Sequence, residues 1–135
     1  VKVEEQYYDV LQNIEFAIVR TYWDHKSLSD YEVMRAVEAL IDTYSGEKIA
    51  RQPRDFRLSD VERKLVDEMR AMCEWRLGRA EAPVDQHSEA PLPAPKPLTV
   101  DEIILCLKRI LKSVNTWNKE GGRQGYLDFI RQYVR

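Results

Sequence analysis

One local pattern, Leu-Ser/Thr-x-x-Glu, occurs three times in this chain: Leu28 to Glu32 around Ser29, Leu58 to Glu62 around Ser59, and Leu98 to Glu102 around Thr99. At a helix start the hydroxyl accepts a hydrogen bond from an amide of the first turn. The Glu three residues on reaches back to the cap amide. The Leu before the cap can staple onto the residue after the Glu, which is Val33 in the first copy and Ile103 in the third. The second copy has Arg63 there, so its staple is weaker. Acids in the first turn also suit the positive end of the helix dipole. The segments after the three copies do not align, so the pattern is capping chemistry and not a repeat family.

These starts organise the hydrophobic pattern into five helices. The first is expected over residues 2–24. Val3, Tyr7, Val10, Leu11, Ile14, Ala17, Ile18, Thr21 and Tyr22 recur at three-four spacing. Tyr8, Phe16, Val19 and Trp23 form a second stripe beside the first. Together the stripes cover well over half the circumference, more than the arc of a little over ~100° that a surface helix presents. This helix is either central to the bundle or covers its extra face with a second copy.

The second helix is expected over residues 30–44, with Val33, Met34, Val37, Leu40, Ile41 and Tyr44 inward and Gly46 as the stop. Its short link to the first helix predicts an antiparallel hairpin. Residues 47–57 lack a period and read as an extended loop, with Ile49 and Phe56 docking on the bundle. The third helix is expected over residues 60–77, ended by Gly78. Arg76 falls on its inner face, which is costly unless the guanidinium reaches a carboxylate or the solvent edge.

Five of the six prolines lie in residues 80–97, where alternate prolines favour an extended polyproline conformation. Residues 80–98 therefore read as a proline-rich crossover long enough to join the third helix to either end of the fourth. The fourth helix, residues 100–118, sets Ile103, Ile104, Leu107, Ile110, Leu111, Val114 and Trp117 on one face. Lys108, Arg109 and Lys112 lie opposite. The fifth covers residues 124–134 and pairs with the fourth as a second hairpin. The fold class is all-α: a single domain over residues 1–135, a five-helix bundle of two hairpins plus a central helix.

The 135-residue chain has 21 Lys/Arg and 23 Asp/Glu, a net charge of −2. The last 40 residues carry eight bases and four acids, a net of +4, and the first 95 carry −6. Such a split suits contact between oppositely charged surfaces. The near-neutral total argues against nucleic acid as the partner. No secretory signal opens the chain and no apolar run approaches the ~20 residues of a membrane span, so no membrane partner is expected and the setting reads as cytoplasmic. Cys73 and Cys106, each within a helical apolar pattern and not in a Cys-x-x-Cys pair, read as reduced core thiols.

Residues in patterns that carry chemistry are few. The two histidines, His25 and His87, fall in a turn and in the proline-rich segment. No metal-ligand spacing, phosphate loop or nucleophile motif is present, so no catalytic residue, metal site or cofactor is assigned. Two surfaces remain. Tyr8, Phe16, Val19, Trp23 and Trp75 form a candidate interaction surface, since large apolar side chains outside the core mark protein partners. Trp75 is included because it points away from the third helix's inner face. The leading expectation is thus a non-enzymatic interaction module that associates with itself, as a homodimer or higher. The alternative is a regulatory protein that binds an anionic ligand or nucleic acid through the basic C-terminal third, at Lys119, Gly121, Gly122, Arg123 and Gln124, where a glycine-rich turn leads into the amides of the fifth helix.

Overall fold

A computed structural model describes residues 7–83, 96–120 and 125–133 of the chain. It is all-helical over those residues: α1 Tyr8–Asp24, α2 Asp30–Lys48, α3 Asp60–Arg76, α4 Val100–Glu120 and α5 Gly125–Tyr133. All three capping patterns form as boxes. Ser29 and Ser59 each accept from the amide of the Glu three residues on, and that Glu accepts from the cap amide. At α4 the Glu102 amide donates to Thr99 Oγ1 at 3.2 Å and the Thr99 amide donates to Glu102 Oε1 at 2.9 Å. Chain entry is therefore set locally at three of the five helices.

Side-chain bonds between helices define their directions. Arg35 Nε meets Glu62 at 2.9 Å near the starts of α2 and α3. Tyr44 donates to Glu74 at 2.8 Å near their ends. The two helices therefore run parallel. Asp9 at the start of α1 meets Arg76 at the end of α3 at 2.9 Å, so that pair is antiparallel. Lys48 at the end of α2 pairs with Asp101 at the start of α4, so α4 runs back along α2. α1 packs chiefly on α3, and α2 on α4 and α3, with α5 laid across α4, α1 and α2. The side-by-side pairing of α1 with α2 expected from their short link is replaced by these contacts.

A parallel α2–α3 pair needs a chain return, and residues 49–59 provide it. Asp42 Oδ1 holds Arg51 at 2.8 Å and its Oδ2 accepts from the Arg54 amide at 2.8 Å. Farther back along α2, Arg35 Nη2 donates to the Phe56 carbonyl at 2.6 Å. This segment is polar-fastened: Ile49 is 68% exposed and does not dock as expected. Gly46 does not stop α2. The helix continues to Lys48, and the reversal follows at Ala50, which takes a left-handed φ of +54°. Gly46 is needed for close approach, because a Cβ there would lie 2.8 Å from the Arg51 carbonyl oxygen.

Gly78 does end α3, at φ +77°. The Gly78 amide donates to the Trp75 carbonyl at 3.0 Å and the Arg79 amide to that of Glu74 at 2.9 Å, which is a Schellman closure. The Leu98 amide donates to the Arg76 carbonyl at 2.8 Å, and Pro97 sits against Gly78. The approach to α4 is thereby pinned to the C-terminal end of α3.

The core is one cluster. Ile14, Ile18, Val33, Leu40, Leu65, Met69, Ile103, Leu107, Leu127 and Ile130 are all fully buried within it. At roughly 1.5–3 kcal/mol for each such aliphatic side chain removed from water, this cluster is the main source of stability.

Candidate functional site

The amides that open α5 were a candidate anion site, and the protein fills that place with its own carboxylate. Asp30, wholly buried in the first turn of α2, accepts from the Tyr126 amide at 2.8 Å and from the Leu127 amide at 3.2 Å. These are orphan donors of a helix start, and an anion is what they favour. Tyr126, itself fully buried, donates its hydroxyl to Glu15 Oε2 at 2.8 Å. Burial pushes both the Asp30 and the Glu15 carboxyl above the ordinary carboxylate range, against the hydrogen bonds that lower them. Gly121, Gly122, Arg123 and Gln124 lie outside the described residues. The sequence signal for this lock was indirect: Asp30 was legible as a first-turn acid of its own helix, but nothing local ties it to a helix 95 residues away.

The expected aromatic surface divides. Tyr8 and Trp23 are about half exposed, at 51% and 53%, near opposite ends of α1. Phe16 is partly buried against the core. Val19 is 1% exposed and belongs to the core, and Trp75 is 8% exposed. Most of the broad apolar arc of α1 is covered within the chain, because α3, α4 and α5 all pack on it, and Tyr8 and Trp23 are the part left at the surface. Trp75 is covered although it lies off the main stripe of α3, with the Arg76 guanidinium 5.5 Å from its ring.

The outer face of α4 carries a run of exposed cations. No acid stands between Glu102 and Glu120, whereas Lys108, Arg109, Lys112 and Lys119 do. All four cations are exposed, and among the described residues none makes an ion pair. Arg35, Lys48, Arg51, Arg54, Arg63, Arg76, Arg79 and Arg131 all do. Lys108, Leu111, Lys112, Asn115, Thr116 and Lys119 line a shallow groove of about 370 Å³ along this face. At ~1.5 Å rise per residue the cationic stripe is roughly 16 Å long.

Chemistry beyond charge is sparse. Cys73 and Cys106 are free and buried. Burial pushes the Cys106 thiol up to about 11 and that of Cys73 higher still, so both stay protonated and unreactive at neutral pH. Among the described residues no group of three or more His, Cys, Asp and Glu is placed to hold a metal ion. No described helix is long and apolar enough to cross a membrane. Comparison with protein-family models, characterised proteins and solved structures finds no match to this chain.

Proposed function

We propose that the protein is a non-enzymatic interaction module that docks an acidic protein partner on the outer face of α4. The observation that supports this is the set Lys108, Arg109, Lys112 and Lys119, exposed on one helix with no acid between Glu102 and Glu120 and without ion pairs among the described residues. Clustered charge of one sign speeds association and selects partners, at about 0.2–1 kcal/mol for each exposed pair formed. An acidic protein fits better than nucleic acid. The stripe is short, Asp101 and Glu102 close one end of it, and the chain as a whole is negative. A cytoplasmic setting accords with two free thiols.

The test uses a labelled Glu-rich peptide and the full chain, followed by fluorescence anisotropy from low to high salt. Binding that weakens steeply with salt and vanishes in Lys108→Glu/Lys112→Glu is expected. Absence of binding at 50 mM salt overturns the proposal, as does stronger binding of a single-stranded oligonucleotide than of the peptide.

A second reading, self-association, rests on half-exposed Tyr8 and Trp23. Sedimentation velocity at micromolar concentration decides it: a strict monomer ends that reading and leaves the α4 proposal standing.

A further inference from the structure

We propose that α5 is a detachable latch helix whose docking onto α1 and α2 is set by the protonation of Glu15 and Asp30. Two carboxylates from two different helices converge on one α5 residue, Tyr126. Asp30 accepts from its amide at 2.8 Å, and Glu15 accepts from its hydroxyl at 2.8 Å. Asp30 is 0% exposed and Glu15 8%. Among the described residues neither carboxylate forms an ion pair.

The surrounding charges do not neutralise this pair. Asp128 of α5 faces Asp30 and adds like charge. Arg131 of α5 lies 3.7 Å from Asp128 and sits over Tyr22 of α1 at 5.5 Å, with Lys26 over the same ring at 4.8 Å. α4 contributes Trp117, stacked on Phe129 at 4.7 Å. The helix N-termini meeting at Asp30 favour its ionised form, but burial acts the other way and is the larger effect. At Glu15 only the Tyr126 hydroxyl opposes burial.

The direction follows from linkage. Both carboxyls titrate higher when buried than when α5 is undocked, so the docked state holds protons that the undocked state releases. Docking is strongest below the ordinary carboxylate range and weakens as pH rises through the raised values. At nine residues α5 is too short to persist alone in water, so undocking melts it. Release uncovers the buried face formed by Tyr126, Leu127 and Ile130.

Hydrogen exchange on the full chain tests this, with α5 amides compared to α3 amides and corrected for intrinsic exchange. The opening of α5 should rise by up to about tenfold per pH unit for each titrating carboxylate and stay well above that of α3, which opens only with the whole fold. Glu15→Gln keeps the acceptor for the Tyr126 hydroxyl and Asp30→Asn keeps one of the two acceptors that hold the α5 amides, and each should flatten the slope. Either variant alone suffices, with far-UV circular dichroism to verify folding. Opening of α5 no greater than that of α3 at any pH, or a slope unchanged in a folded variant, overturns the latch.

Discussion

Replacing Arg76 by Met should leave the protein as stable as before or slightly more so, although Arg76 is a charged residue buried in a helical core. Its side chain is 8% exposed, while its partner Asp9 is 60% exposed. An ion pair with one member that open to solvent contributes only about 0–1 kcal/mol. The guanidinium 5.5 Å from the Trp75 ring adds about 0.5–1 kcal/mol. Against these stands the Nε–H, buried without a hydrogen-bond partner, at a cost of about 1–3 kcal/mol. Met keeps an unbranched apolar stem of similar length and removes both the orphan donor and the buried charge. The balance runs from about 1 kcal/mol against Met to about 2.5 kcal/mol in its favour, with its centre slightly on the side of Met.

Arg76→Ala should behave differently, because it also removes the stem that fills the space and should cost about 1–2 kcal/mol. Urea unfolding of the three proteins, with a common slope against denaturant, measures the difference. An Arg76→Met protein destabilised by more than about 1.5 kcal/mol would refute the reasoning, since the partly exposed Asp9 pair would then outweigh the orphan Nε–H.

Gly46→Ala should destabilise by about 1 kcal/mol or more despite the better helix propensity of Ala, because the new Cβ meets the Arg51 carbonyl oxygen at 2.8 Å. Thermal unfolding checks it, and a rise in Tm would contradict the close-approach account. Asp42→Ala removes the carboxylate that holds Arg51 and the Arg54 amide. Tryptic cleavage at Arg51, Arg54 and Arg57 should then accelerate several-fold under native conditions, with α1 and α4 remaining protected. Cys73 and Cys106 should resist a thiol reagent at pH 8 in the native protein and both react in denaturant. Prompt native labelling of either would show that the core opens there.

How much of this was legible in the sequence depends on the range of the interaction. Capping is local, so Ser29, Ser59 and Thr99 located three helix starts to the residue. The apolar period of α4 similarly located Ile103, Leu107, Ile110 and Val114 in the core. Gly46 misled because a glycine after an apolar period looks the same whether it ends a helix or admits a crossing backbone. What matters is Arg51, whose amide donates to the Gly46 carbonyl at 2.7 Å. Helical phase alone sets Trp75 off the inner face of α3, and phase does not say which neighbour covers the flank. The parallel α2–α3 arrangement was not legible at all. It depends on Arg35, Asp42 and Tyr44 finding partners between 9 and 30 residues away, and no periodicity encodes that.

The charge split acquires a different meaning once these bonds are known. The acid-rich first part of the chain uses several of its carboxylates internally: Asp9 on Arg76, Asp42 on the return segment, Glu47 on Arg79, Glu62 on Arg35, and Glu15 and Asp30 on α5. A carboxylate so engaged presents less field to a partner than its formal charge implies. The cations of α4 have no such engagement among the described residues. A chain of net charge −2 thus presents a cationic face, and attraction at that face should be felt within about one Debye length, ~8 Å at physiological salt. The basic third remains the place to look, but the focus moves. At the turn into α5, the first helical amides are already answered by Asp30, so an external anion there would have to displace a buried carboxylate. Along the groove of Lys108, Lys112 and Lys119 it would displace only water.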